Sequence, residues 1–255
     1  MGPPVRLLTL IIICALTACG GSSAAKGPIE LSVAAASSLA PVFQELGPEF
    51  TAETGIPLVF SFASTGHLAQ QIRNGAPFDL FAAADEQHVD MLIGTGDLIS
   101  ATRTHFANGV LVLVAAPESD INTLREALNL PTGRPVIANP EHAPYGLAAR
   151  QVLERSGYWD ELQNDIAYAE TVRQATQVVE TGNAQYGLVA LSTALSSDLK
   201  VIPIDAGLYA PIAHVAAVLS NSGDPSEAVM FLEFLTSEAG GEVLRTHGLE
   251  PEDGS

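Results

Sequence analysis

Residues 139–147 read Asn-Pro-Glu-His-Ala-Pro-Tyr-Gly-Leu, and this order joins the end of a strand to the start of a helix. The apolar run 135–138 before them suits a short buried strand. Pro144 fits a first helical position, where its missing N–H costs nothing. The N–H groups of Tyr145 and Gly146 then have no acceptor within the helix. Such an end carries roughly half a positive charge and is a natural place for an anion.

The same strand-then-helix design recurs outward in both directions. Residues 29–36 form an apolar run followed by Ser37-Ser38, where Ser38 is expected to cap a helix with Val42, Phe43, Leu46 and Phe50 on one face. Residues 58–62 read as a strand leading into Ser64-Thr65-Gly66 and a second helix. Residues 78–83 form a third strand, after which Asp85 caps a helix and Glu86 favours its first turn. Beyond the apolar strand 110–115 the alternation restarts. Residues 165–169 look extended, and Thr171 caps the helix 172–180, which Gly182 closes. Further strands are expected at 187–191, 201–204 and 212–219, with terminal helices at 225–235 and 239–245. Asn108-Gly109 reads as a turn, and the polar tail 250–255 as loose chain.

Repeated β-α-β units favour parallel sheets covered on both faces. Nine or ten strands are many for one sheet, so two α/β lobes joined by a two-strand hinge are expected. The crossings are placed near 110–115 and 207–215. Lobe I then comprises 29–109 plus 213–255, and lobe II is the insertion 110–212.

The N-terminus is set apart from this body. Residues 1–6 are short and basic, 7–17 are apolar, and Leu16-Thr17-Ala18-Cys19 closes the run, as in a secretory signal spanning 1–18. The pattern resembles the bacterial lipobox, which implies lipidation of Cys19 as the first mature residue; residues 19–28 then serve as a flexible tether. Cys14 lies within the signal, so disulfides and cysteine-based metal sites are excluded from the mature body. The formal net charge of −18 rules out a nucleic-acid partner. That charge repels a small anion at long range, so an anion site must work by local dipoles.

Four helix starts are candidates for such a site: Ser37-Ser38, Ser64-Thr65-Gly66, Pro144-Tyr145-Gly146 and Thr171-Val172. Singly, each serine or threonine is an ordinary cap, Tyr145 a packed ring and Val172 a core residue. If the four starts converge where strands end, in the crevice open α/β sheets use for ligands, their partial charges sum to roughly +2. The six histidines are scattered without HxxxH spacing, so they are expected at the surface or in supporting positions, with His67 and His142 beside the cleft. Nucleophile elbows, P-loops and dinucleotide fingerprints are absent from the sequence. The rival reading from another class is a lipid-anchored cleft hydrolase using Asp or Glu with histidine.

The segments VAAASSL, SFASTGHLAQQI, GAPFDLFAAADEQ, NPEHAPYGLAARQVL and TVRQA resemble the molybdate-binding proteins of bacterial ABC importers, in register from about residue 29 to 249. The resemblance implies two α/β lobes with molybdate or tungstate in the cleft. It places ligand hydroxyls on Ser38 and Thr65, with Ser37 where some members have another hydroxyl, and backbone donors on Tyr145 and Val172. It further implies a membrane permease as partner, no cofactor, no metal cation and no catalysis, with a monomer as the default state. Many members carry a tyrosine where this chain has Ala190. Others pair a small residue there with a tyrosine in the PYG block, so the Tyr145 hydroxyl is expected to help close the shell. The nearer alternative is a protein of the same fold for sulfate or another small anion.

Overall fold

The computed structural model describes residues 2, 29–131 and 133–252. The expected signal (Gly2 apart), Cys19, the tether and residues 253–255 lie outside this range.

Eleven strands divide between two sheets among the described residues. In chain order they are β1 (Leu31–Ala36), β2 (Leu58–Ala63), β3 (Leu80–Ala83), β4 (Thr104–Gly109), β5 (Leu111–Ala115), β6 (Pro135–Ala138), β7 (Ala167–Ala169), β8 (Tyr186–Ala190), β9 (Lys200–Pro203), β10 (Ile212–Val218) and β11 (Leu249–Pro251). The first sheet has the order β11-β4-β10-β3-β1-β2 and the second β7-β6-β8-β5-β9. Around them lie α1 (Ala40–Thr54), α2 (Thr65–Arg73), α3 (Glu86–Thr95), α4 (Leu124–Leu128), α5 (Pro144–Arg155), α6 (Trp159–Leu162), α7 (Val172–Glu180), α8 (Leu191–Ala194), α9 (Pro225–Leu235) and α10 (Glu238–Thr246). The two α/β lobes expected from the sequence are present.

Local chemistry explains the elements. The small residues of β1, Leu-Ser-Val-Ala-Ala-Ala, are buried almost throughout and let helices approach both faces of the sheet. Phe43, Phe50 and Phe231 pack edge to face between α1 and α9, with ring centroids 5.5 and 5.2 Å apart. Asp85 accepts from His88 N at 2.8 Å and Thr171 from Gln174 N at 3.1 Å, so both caps are formed as the sequence suggests. Gly55 and Gly96 end α1 and α3 in the left-handed region, at φ 75° and 82°.

The sheets are mixed, not purely parallel. β1 pairs in parallel with β2 and β3, and β6 with β7 and β8, as β-α-β units require. The strands that carry the chain between lobes enter from the opposite direction. Hence β10 is antiparallel to β3, and β5 is antiparallel to β8. The first crossing occupies a single residue, Val110, between β4 and β5; the return runs between Pro203 and Ile212. Leu111 N donates to the Tyr209 hydroxyl at 3.1 Å, tying one crossing to the other.

Three expectations are corrected here. Asn108 and Gly109 are not a turn: they end β4, paired with β10 on one side and β11 on the other. Glu250 and Pro251 are not loose tail, because β11 fills that edge. Ser38 does not cap α1. It lies in a 3₁₀ turn, Ser37–Leu39, and α1 begins at Ala40 with Leu39 as its flanking residue.

Candidate functional site

The parallel strands of both sheets point their carboxyl ends at the space between the lobes. The residues after β1, β2 and β3 face those after β6 and β7 across it. There they converge on a narrow pocket with only about 10 Å³ of solvent-accessible space, lined by Ser37, Ser38, Thr65, Tyr145 and Val172 among others. The five residues singled out in the sequence thus come together, although they span 136 positions of the chain. Three α-helices (α2, α5 and α7) and the 3₁₀ turn ahead of α1 begin at its wall.

Each lining residue is held by its neighbours. Ser38 is buried, and its Oγ lies 3.1 Å from His214 Nε2 on β10. Its carbonyl accepts from Ser192 Oγ of the second lobe at 2.7 Å. Thr65, first residue of α2, is fully buried, and its Oγ1 accepts from Ala84 N at 3.1 Å. That bond uses an oxygen lone pair and leaves the hydroxyl proton to donate into the cavity. Tyr145 and Val172 occupy the first turns of α5 and α7, ahead of any intrahelical acceptor for their N–H groups.

Glycines permit the close approaches. A Cβ on Gly146 would collide with the Ala138 carbonyl at the end of β6, so α5 starts directly against its strand. A Cβ on Gly109 would collide with the Tyr145 hydroxyl, which reaches past the cavity toward the hinge. Burial raises the Tyr145 phenol well above its ordinary pKa, and a hydrogen bond with Ser38 partly opposes this. Tyr145 is therefore a neutral phenol at any physiological pH. Ala190, at the end of β8, has no hydroxyl to offer.

His214 is a functional neighbour that sequence reasoning missed. It is fully buried, and burial pushes its pKa down to about 3, with the Ile212 carbonyl pulling the other way. It stays a neutral imidazole beside Ser38. The two residues are 176 positions apart, and no local pattern links them.

Among the described residues, the cavity wall holds no carboxylate, lysine or arginine. Titratable groups stand at the rim. There Gly66 N donates to the His142 carbonyl at 2.9 Å, and His142 Nδ1 lies 2.9 Å from Ser64 Oγ. The rings of His67 and His142 stack with centroids 4.0 Å apart, and Glu170 stands beside both. Burial lowers the His142 pKa, as does neighbouring His67, while Glu170 and Glu141 oppose the shift. The sequence placed His67 and His142 at the cleft but did not pair them with each other or with Glu170. Lobe I and lobe II are thus in contact across the cleft, and the cavity between them is closed down around a small volume.

A family model described as bacterial extracellular solute-binding protein matches residues 31–250. The molybdate-binding protein ModA of Azotobacter vinelandii is 33% identical over 241 residues, covering 91% of this chain and 92% of that one. Its namesake from Escherichia coli (strain K12) is 33% identical over 230 residues, covering 86% and 88%. The solved periplasmic molybdate-binding protein of Azotobacter vinelandii matches with a TM-score of 0.81 at 30% identity, covering 86% of this chain and 98% of that one. Fold, converging helix starts and these matches agree, and the chain belongs to the bacterial extracellular solute-binding protein family, together with these molybdate-binding relatives.

Proposed function

We propose that this protein captures molybdate outside the cytoplasm, with tungstate as a near-equivalent ligand, and hands it to the membrane permease of an ABC importer. The observation that carries the reading is the pocket itself: small, lined from both lobes by hydroxyls and helix N-termini, and, among the described residues, without a charged side chain in its wall. Ser37, Ser38 and Thr65 would supply hydroxyls, and Tyr145 and Val172 backbone N–H groups. Each hydrogen bond to a charged ligand is worth about 1.5–3 kcal/mol. Several together outweigh the cost of ordering the lobes and make the closed form the ligand-bound one.

The donor set also supports selectivity. A phosphate species that keeps a proton needs an acceptor for it, and a wall without a carboxylate leaves that proton unsatisfied. Sulfate has the right charge but shorter bonds to oxygen, so donors spaced for molybdate would hold it loosely. Nothing is converted chemically: the protein binds, closes and releases. A lipid on Cys19 would tether it to the membrane face, with residues 19–28 as leash and the folded body acting as a monomer. Among the described residues, no helix is long and apolar enough to cross a membrane.

The test is a ranking of thermal shifts with molybdate, tungstate, sulfate and phosphate, followed by calorimetry. A ligand that binds only the native state raises its stability. Large, similar shifts are expected for molybdate and tungstate. Comparable affinities for sulfate and molybdate would overturn the proposal, as would turnover of generic esters or phosphates.

A further inference from the structure

At the mouth of the cleft, above the anion cavity, three metal-binding side chains from both lobes meet. His67 lies in the first turn of α2, in the first lobe; His142 precedes α5 and Glu170 precedes α7, in the second. Glu170 Oε2 is 3.8 Å from His67 Nδ1 and 3.7 Å from His142 Nε2. One nitrogen of each ring and one carboxylate oxygen all fall within 4.8 Å of one another. His142 has the outer support typical of a metal ligand: its Nδ1 faces Ser64 Oγ at 2.9 Å, which fixes the ring. With the proton on Nδ1, Nε2 presents its lone pair toward Glu170.

We propose that His67, His142 and Glu170 form a site for a divalent transition metal, best suited to Zn²⁺, that bridges the lobes and latches the cleft shut over its anion. Two imidazoles and a carboxylate are a known zinc donor set, with water in the fourth position. Donors around a tetrahedral zinc ion stand roughly 3.3 Å apart, so movements on the order of 1 Å would bring these three into place. The half-exposed His67 and the exposed Glu170 side chains are free to make them. The ligands come from opposite lobes, so the metal holds only the closed arrangement. A dianion below adds attraction for a cation above. Metal and anion must then raise each other's affinity by one common factor. The coupling rests on the anion reading proposed above; the metal site itself does not.

The experiment is a calorimetric titration of Zn²⁺ into the full chain and its His67→Ala variant, each with and without saturating molybdate. Glu170→Gln serves as a second variant, since both side chains sit in solvent and neither lines the cavity. One Zn²⁺ per wild-type chain is expected, with affinity at least about tenfold weaker in either variant. Stopped-flow release of molybdate should slow when Zn²⁺ is present in the wild type and stay unchanged in His67→Ala. Equal zinc affinity in wild type and both variants would overturn the site, and metal-independent molybdate release would overturn the latch. The anion-free titration separates the two readings. Loss of zinc binding in His67→Ala without molybdate supports the site whatever anion the cavity takes.

Discussion

The two lobes contribute different kinds of group to the cavity between them. The first lobe offers side chains: the hydroxyls of Ser38 and Thr65, each buried and each held by a polar partner from its own sheet or the loop beyond it. The second lobe offers backbone, the first N–H groups of α5 and α7, where Tyr145 and Val172 stand. Hydroxyl donors depend on residue identity, whereas backbone donors depend on the helix being there. Substitutions should therefore hurt binding on one side of the cleft and be tolerated on the other.

Acid should expose the difference most strongly, because the first lobe's Ser38 leans on a buried imidazole that has no counterpart in the second. His214 has a pKa of about 3 when folded and about 6.5 when unfolded. The unfolded chain binds the extra proton between those values, so the stabilising contribution is intact above pH 6.5 and lost as pH falls toward 3. The slope attributable to this one group is about 1.4 kcal/mol per pH unit. Its neighbours are Ser38, the Tyr145 ring and, at longer range, His105 and Asp85. Chemical denaturation of wild type and His214→Gln across pH 4–7 reads the effect, and parallel curves for the two proteins would exclude it.

Next in size is Thr65→Val, which keeps shape but removes the hydroxyl and leaves Ala84 N–H without its acceptor. A loss of about 1.5–3 kcal/mol in anion binding, roughly 10- to 150-fold, is expected by calorimetry. Gly66→Ala should cost about tenfold by another route. Its Cβ would stand 2.9 Å from His142 Cβ and 3.0 Å from the His142 carbonyl, where the lobes touch. Each factor of ten corresponds to about 1.4 kcal/mol. The melting temperature without ligand should barely move; a large drop would mean that Gly66 serves the fold and not closure.

Tyr145→Phe tests whether the second lobe's phenol, which lies past the cavity against Gly109 and bonds with Ser38, supports the shell through that serine. A fall of about 0.5–1.5 kcal/mol, a few-fold in affinity, is expected, and unchanged affinity would remove the hydroxyl from the shell. The smallest effect belongs to Val172→Ala, where only the backbone donates: affinity should stay within about twofold while stability drops by about 1–2 kcal/mol for the lost buried methyl groups. A tenfold affinity loss there would erase the asymmetry between the lobes.

What the sequence disclosed follows the same division between local and distant. Helix starts announce themselves through neighbours, as Asp85, Thr171 and Pro144 do, and the strand before each gives its direction. Convergence of four such starts was only a condition at the level of sequence, although β-α-β units share one handedness and one ligand-facing edge; the packing of the two lobes supplies it. By contrast, β4 reads Thr-His-Phe-Ala-Asn-Gly, a turn-like composition, and is a strand only because β10 and β11 return from more than a hundred residues away to pair with it. Ser38 resembled a cap because its true partner, His214, is invisible at short range. The cluster of His67, His142 and Glu170 was hidden for the same reason, since closure of the lobes, not spacing, assembles it.

The crossing at Val110 has a mechanical meaning. One residue between two strands, pinned where the Val110 carbonyl takes the Leu191 N–H at 2.9 Å, leaves no slack for the sheets to glide past each other. Rotation is the motion left, about an axis through that point and the nearby return strand. A displacement too small to notice at the pivot becomes a wide swing at the outer surfaces, and a transporter meeting those surfaces could sense whether cargo is aboard without ever touching it.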